Sequence, residues 1–228
     1  YGLRRYGFHG SSHSFVSKAA AALLGKKPSE VNVIVCHLGN GSSISCVRGG
    51  KCVDTSMGTT PLQGVVMGTR CGDIDPALVP FLMKNEGLTP DEIDTIMNKK
   101  SGILGVSQVT SDNRDIEEGA RNGNKRYQLI ESMIVHQLTK LIGSYAAAMG
   151  GVDAIVFTGG IGENAGEYRT AVCEKLAFMG VKIDEAKNKI RGEEVEISTP
   201  DSTVKVYVIP TNEELVIARD TLEIVSAL

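Results

Sequence analysis

The chain has no apolar run approaching the roughly 18 residues that a membrane-spanning helix requires. Its 24 Lys and Arg against 27 Asp and Glu leave a formal net charge of −3, without the basic footprint of a nucleic-acid binder. Cysteine is sparse as well: five residues, an odd number, never in CxxC spacing, with Cys36, Cys46 and Cys52 in apolar strand-like runs and Cys71 beside an arginine. That usage argues against a disulfide framework and for a reducing, cytoplasmic setting. Internal repeats and low-complexity linkers are missing, and no charged-then-apolar leader precedes the folded-looking part. The chain opens on Tyr1 and so reads as a piece of a longer protein. What is there is 228 residues, 42% hydrophobic, enough for a sizeable core and expected to act on a small molecule.

Two glycine-rich loops each follow a run of strand formers: Val33-Ile34-Val35-Cys36-His37-Leu38-Gly39-Asn40-Gly41 and Ala154-Ile155-Val156-Phe157-Thr158-Gly159-Gly160-Ile161-Gly162-Glu163-Asn164. Glycines there let main-chain N–H groups crowd around an anion, so two such loops point to a nucleotide bound between them. After the first loop come Ser42–Val47, the turn Arg48-Gly49-Gly50-Lys51 and Cys52–Met57, which read as a three-stranded antiparallel meander. No helix is expected behind that loop, which separates it from P-loop and dinucleotide folds.

Further on, Thr89-Pro90-Asp91-Glu92 has the form of a capping box opening a helix to about Asn98. Apolar residues at three-to-four spacing predict a long helix from Tyr127 to Met149, stopped by Gly150-Gly151. Val152 to Phe157 reads as a strand buried on both faces, Glu167 to Met179 as a helix, Val204 to Ile209 as a last strand, and the segment from about Glu214 to Val225 as a final helix. The expected class is α/β with a mixed sheet, the meander plus parallel strands flanked by helices.

Several polar residues could bear chemistry. Arg70, bracketed by glycines in Gly68-Thr69-Arg70-Cys71-Gly72-Asp73, offers a planar fork matched to phosphate, with a solvated surface arginine as the alternative. His9 and His13 have HxxxH spacing, which on a helix would suit zinc. Gly10 and two serines argue against a helix there and no third ligand is evident, which leaves a structural histidine or a donor to a phosphoryl group, unranked by spacing. Asp112-Asn113-Arg114-Asp115 and Thr211-Asn212-Glu213-Glu214 could cap helices, and Glu213 at a strand end could also serve a hard cation such as Mg²⁺. Gly160-x-Gly162-x-x-Ala165, with Asp184 about twenty residues on, also fits the dinucleotide fingerprint of an NAD-binding dehydrogenase, although it arrives late in the chain for that role.

Taken together, Phe8-His9-Gly10-Ser11-Ser12-His13, His37-Leu38-Gly39-Asn40-Gly41-Ser42, Gly68-Thr69-Arg70, Gly159-Gly160-Ile161-Gly162-Glu163-Asn164 and Thr211-Asn212-Glu213-Glu214 resemble the acetate kinase family, of the acetate and sugar kinase, Hsp70 and actin superfamily, in family order and over essentially the whole chain. The resemblance implies a ribonuclease H-like, actin-like ATPase domain. It also implies reversible transfer of the γ-phosphoryl group of ATP to acetate, giving acetyl phosphate and ADP with Mg²⁺ or Mn²⁺. On the same footing, His9 steadies the transferring phosphoryl group, Arg70 balances its charge and Glu213 associates with the metal. His37, Leu38, Gly39, Asn40 and Gly41, then Asp112, Asn113 and Arg114, and Gly160, Ile161, Gly162, Glu163 and Asn164 are the implied nucleotide segments, and Phe8 and Pro61 the walls of the acyl pocket. Family members pair as homodimers through this C-terminal domain and carry a further N-terminal domain that completes the cleft. The isolated chain is therefore expected to bind ATP weakly and to turn over poorly, and its last helix to pack on that other domain. A kinase for propionate or another short acid, and a nucleotide-binding or dimerisation module without turnover, are the alternatives.

Overall fold

Over residues 1–227, which the computed structural model describes, a six-stranded sheet carries helices on both faces. Helix α1 (Gly10–Leu23) leads into β1 (Asn32–Leu38), and β1 forms the expected antiparallel meander with β2 (Ser42–Arg48) and β3 (Lys51–Thr55). Val35 stands opposite Ser45, and a bulge interrupts the β2–β3 pairing between Cys46 and Val47. Four helices follow, α2 (Leu78–Glu86), α3 (Pro90–Lys99), α4 (Gly102–Ser107) and α5 (Asn113–Arg121), and then the 25-residue α6 (Lys125–Met149). Strand β4 (Ala154–Thr158) runs directly into α7 (Gly159–Asn164) and α8 (Gly166–Lys175); β5 (Val195–Glu196), β6 (Lys205–Val208) and α9 (Glu213–Ser226) complete the chain. The sheet order is β3-β2-β1-β4-β6-β5, with β4 parallel to both β1 and β6.

The near-continuous apolar character of β1 and β4 follows from burial on both faces. Ile34, Cys36 and Leu38 of β1, with Ile155 and Phe157 of β4, meet Leu138 and Ile142 of α6 and Val172 of α8. The alternate residues Val33, Val35, Ala154 and Val156 meet Val16, Ala20 and Ala21 of α1. Each fully buried side chain of this size contributes roughly 1.5–3 kcal/mol. The capping box is formed: Thr89 N–H donates to Glu92 at 2.8 Å and Glu92 N–H to Thr89 Oγ1 at 3.3 Å. Asn124 caps α6 and Gly150, at φ 74°, ends it.

Three expectations are corrected. A helix does start at Gly10, because the run Phe15 to Ala22 buries an apolar face on the sheet and outweighs the poor propensity of Gly10 and the serines. The helix expected to continue to Met179 stops at Lys175 and gives way to a single 3₁₀ turn, Ala177–Met179. Cys52 lies exposed on the edge strand β3 rather than inside an apolar layer, whereas Cys36, Cys46 and Cys173 are buried; all five thiols are free.

Candidate active site

The β1–β2 turn, Gly39-Asn40-Gly41, is held by Ser42, whose hydroxyl donates to the Gly39 carbonyl at 3.0 Å. The Arg70 loop reaches it from the side. Main-chain bonds fasten that loop to the α3–α4 region: Cys71 N–H donates to Met97 O at 2.9 Å and Ser101 N–H to Thr69 O at 3.0 Å. Arg70 Nη1 donates to the Pro61 carbonyl at 3.1 Å, and no carboxylate among the described residues neutralises it. A Cβ placed on Gly41 would lie 3.1 Å from Arg70 Nη1 and 3.7 Å from His9 Nε2. The missing side chain thus leaves a small space bordered by a guanidinium, an imidazole and backbone, a chemistry suited to an anion.

His9 caps α1 in the left-handed region (φ 59°), a conformation histidine tolerates better than most residues. Its ring stacks on His37 with centroids 4.0 Å apart, and His13 lies 6.4 Å from it. Serines occupy the nitrogens: Ser43 Oγ lies 2.8 Å from His9 Nδ1 and 2.7 Å from His13 Nε2, Ser45 Oγ 2.8 Å from His13 Nδ1, and Ser12 Oγ 2.8 Å from His37 Nδ1. Both nitrogens of His13 are engaged, and among the described residues no three His, Cys, Asp or Glu side chains are disposed to hold a metal, so the zinc reading of HxxxH lapses.

Burial lowers all three imidazole pKa values. His13 falls to about 3, helped by His37 and His9, and His37 to about 4, helped by His9. His9 is lowered by burial, with Glu213 acting against the shift and Arg70 with it. An unfolded histidine takes its proton near pH 6.5, whereas folded His13 waits until about pH 3. The unfolded state therefore binds more protons between those values, and stability drops as pH falls through the window. We expect denaturant midpoints to decline from pH 7 to pH 5, His13 alone contributing a slope of about 1.4 kcal/mol per pH unit well below pH 6.5. His13→Gln should flatten the profile; a wild-type profile already flat over this range would show that the cluster titrates normally.

Glu213 opens α9, half-buried, after Asn212, whose side chain accepts from Leu215 N–H at 3.0 Å. Its negative charge works against the lowering of the His9 pKa. Thr211 Oγ1, two residues before it, is the one buried side-chain oxygen or nitrogen without a hydrogen-bond partner among the described residues. Phe8 is half-buried one residue before His9, and Pro61 enters the site through its carbonyl.

A cleft of about 660 Å³ runs away from this corner. Gly39, Asn40 and Gly68 form its near end. One wall is the start of α5, where Asp112 caps the helix and pairs with Arg114 at 2.6 Å, which holds the Asp112 carboxyl down to about 2. The opposite wall is α7, through Gly160, Ile161 and Asn164. The walls meet because Gly159, at φ 77°, lets β4 turn directly beneath β1: a Cβ there would come within 2.8 Å of the Leu38 carbonyl. Any other residue would push the two loops apart.

Of the nucleotide segments proposed from sequence, Gly39, Asn40, Asp112, Asn113, Arg114, Gly160, Ile161 and Asn164 line this cleft, and Gly41 sits at the anion space. His37, Leu38, Gly162 and Glu163 do not line it. His37 and Leu38 are strand residues, and Gly162 is buried against the backbone of Cys36 and Phe157. The Glu163 carboxylate folds back to accept Gly159 N–H at 2.9 Å and Thr211 N–H at 3.3 Å, tying α7 to the turn that precedes Glu213. Sequence reasoning missed Ile103, Ser111, Glu117 and Arg191 on the lining, and named Ala165 only within the dinucleotide fingerprint. Glu117 could have been found, one helical turn beyond Asn113 on α5; Arg191 sits in an irregular segment with no periodicity to flag it.

Beneath the cleft, Arg169 is only 1% exposed and faces no carboxylate. It donates to Gly162 O at 2.8 Å, to Asn188 Oδ1 and O at 2.7 Å each, and to Ile190 O at 3.1 Å. It thereby joins α7 to the segment that brings Arg191 to the lining.

Comparison with known proteins adds a second line. The model of the Acetokinase family matches residues 1–219. The acetate kinase of Methanosarcina mazei is 61% identical over 224 residues, covering 98% of this chain and 55% of that protein, and the acetate kinase of Halothermothrix orenii is 56% identical over 227 residues, 100% of this chain and 57% of that protein. Among solved structures, Porphyromonas gingivalis acetate kinase superposes with a TM-score of 0.95 at 50% identity over 98% of this chain and 56% of its own. A propionate kinase from Francisella tularensis does so at 0.89 and 44%, over 96% and 55%. The chain spans about half the length of the curated relatives it matches.

Proposed function

The chain belongs to the acetokinase family, and on that premise we propose that it is the nucleotide-binding half of a two-domain acetate kinase that transfers the γ-phosphoryl group of ATP reversibly to acetate. The observation that supports this most is the anion space at Gly41, bordered by Arg70 and His9 with Glu213 nearby, at the end of a cleft large enough for a nucleotide. The dinucleotide reading of Gly160-x-Gly162 is not favoured, because α7 is a six-residue helix beside a second glycine loop rather than the opening of a first βα unit.

Acetate, ionised at neutral pH with a pKa near ~4–5, needs no general base to act as nucleophile. The protein's task is then to position the reactants and stabilise charge as the phosphoryl group moves. Arg70 supplies a fixed cation; His9, neutral at pH 7, supplies a hydrogen-bond donor; the 39–41 amides and the cleft walls hold the nucleotide. The oxygen donors at the start of α9 suit a hard cation: Glu213 offers a carboxylate, and the unpartnered Thr211 hydroxyl leaves acceptor capacity in the same turn. A Mg²⁺ or Mn²⁺ held there through Glu213 and phosphate oxygens would neutralise phosphate charge.

The exposed apolar residues of α9, Ile217, Leu222, Ile224 and Val225, each at least 60% exposed, support a helix that packs on the other domain of the full-length enzyme. Five free cysteines accord with a cytoplasmic protein, and no helix among the described residues is long and apolar enough to cross a membrane. Pairing of two copies through this domain is part of the proposal and rests on family membership. Calorimetric titration of Mg-ATP and Mg-ADP into the chain, with NAD⁺ as control, should show binding of the adenine nucleotides only; NAD⁺ binding alone would overturn the kinase reading. In the full-length enzyme we expect acetate to exceed propionate in kcat/KM. Because one methylene discriminates by only about 1–3 kcal/mol, a reversed order would assign the enzyme to propionate, as for the Francisella tularensis relative.

A further inference from the structure

We propose that Ser45, His13 and Ser43 form a directional hydrogen-bond chain that fixes His9 as the tautomer protonated at Nε2, so that an N–H faces the anion space beside Gly41. The three links are short and buried: Ser45 Oγ to His13 Nδ1 at 2.8 Å, His13 Nε2 to Ser43 Oγ at 2.7 Å, and Ser43 Oγ to His9 Nδ1 at 2.8 Å. Burial keeps both rings neutral at pH 7, so each imidazole has one donor and one acceptor nitrogen.

Ser43 is fully buried and its hydroxyl has no partner but the two rings among the described residues, so it donates to one and accepts from the other, which leaves two arrangements of protons. In the first, Ser45 O–H donates to His13 Nδ1, His13 Nε2–H to Ser43 Oγ, and Ser43 O–H to His9 Nδ1; His9 then carries its proton on Nε2. In the second every bond is reversed, beginning with His9 Nδ1–H donating to Ser43 and ending with His13 Nδ1–H donating to Ser45. The two differ at the far end. Ser45 is fully buried and has no other hydrogen-bond partner among the described residues. The reversed chain would leave its hydroxyl proton without an acceptor, with the desolvation penalty of an unmade bond, whereas the first chain gives every buried hydroxyl donor an acceptor and leaves open only the His9 Nε2–H at the anion space. The ring cannot escape by turning over, since His37 stacks on its face at 4.0 Å and is itself held by Ser12. A serine 32 residues from His13 in sequence thus sets which nitrogen of His9 meets the ligand.

The tautomer follows from the hydrogen-bond geometry and the burial of both rings; its use rests on the phosphoryl-transfer reading. There, a preset Nε2–H next to Arg70 donates to an oxygen of the transferring group with no proton to relocate. Ser43, His13 and Ser45 are positioning residues, since they touch His9 rather than the reacting atoms.

The chain has four histidines, His9, His13, His37 and His136, so its imidazole nitrogens are few enough to assign individually. With ¹⁵N-labelled histidine, long-range ¹H–¹⁵N spectra of the 228-residue chain should show His9 and His13 with a protonated Nε2 and a bare Nδ1. Ser43→Ala should replace the His9 pattern with an average of both tautomers. A wild-type His9 protonated at Nδ1, or His9 signals unmoved by Ser43→Ala, would overturn the assignment; the wild-type spectrum decides even if a variant fails to fold. In the full-length enzyme Ser43→Ala should lower kcat about tenfold with KM for ATP within about threefold. Unchanged kcat alongside a lost tautomer would refute the positioning role. A full-length wild type that makes no acyl phosphate while His9 shows the expected nitrogens would refute the functional reading and leave the tautomer standing.

Discussion

Arg70→Ala in the full-length enzyme is expected to lower kcat about 10³-fold while KM for ATP changes less than about threefold. The asymmetry follows from where the guanidinium sits. Arg70 is at the near corner of the site, against Gly41 and the Pro61 carbonyl, and does not line the cleft proposed for the nucleotide. It is also unpaired: no carboxylate among the described residues forms a salt bridge with it, so its charge is available to an anion. An interaction made mainly with charge that develops on the transferring group lowers kcat and kcat/KM together when removed, whereas uniform binding would appear in KM. Arg70→Lys should recover only part of the loss, because an ammonium restores the point charge without the planar fork. Initial rates of acyl phosphate formation across ATP concentrations measure both parameters. Equal losses in kcat and in ATP affinity would assign Arg70 to ground-state nucleotide binding instead.

How much of this was readable beforehand varies from residue to residue. The meander, the capping box at Thr89 and the Gly150 stop of α6 depend on local chemistry, namely short turns between strand formers, a Thr-Pro-Asp-Glu start and a glycine at the helix end, and they stand where the sequence places them; α6 begins at Lys125 behind an Asn124 cap, two residues before the expected Tyr127. α1 was hidden because its formation depends on a partner far away: Val16, Ala20 and Ala21 become worth burying only once β1 and β4 present Val33, Val35 and Val156. Glycine positions marked the two loops that border the cleft, at Gly39 and Gly160, yet not which neighbours would share its lining. Glu163 sits within the motif, and its side chain was taken by Gly159 and Thr211 instead, since α7 is so short that a carboxylate near its end reaches back to the free main-chain N–H at its start. His37 belongs to a strand whose register, set by pairing with Ser43 and Thr158, turns it toward His9. The proton chain through Ser43, His13 and Ser45 is three-dimensional throughout, with 30 and 32 residues separating its serines from His13.

Arg169→Met should cost about 3–5 kcal/mol of folding stability, the largest loss expected of any single change outside the apolar core. The side chain is one of the largest fully buried ones, and its charge is met only by neutral acceptors: Gly162 O, Asn188 Oδ1 and O, and Ile190 O. Burying a guanidinium without a counter-ion is unfavourable, which is why its pKa is pulled down to about 10. Methionine relieves that penalty and fills most of the volume, so two terms oppose each other. The acceptors decide the sign: three buried oxygens and the part-buried Ile190 carbonyl lose their donor at once, at about 1–3 kcal/mol for each buried one left unpaired, against one charge released. Water cannot easily replace the fork, because Asn188 is itself buried and its amide is already committed to Gly166 O and Thr170. The loss should be local in origin, loosening α7 and the 188–191 segment and with them one wall of the cleft, so amide exchange there should accelerate more than in β1. Arg169→Lys reaches some of the oxygens and should fall between the two. Urea midpoints at pH 7 measure the difference, and a methionine variant within about 1 kcal/mol of wild type would mean that these carbonyls find water and that the cleft wall does not depend on Arg169.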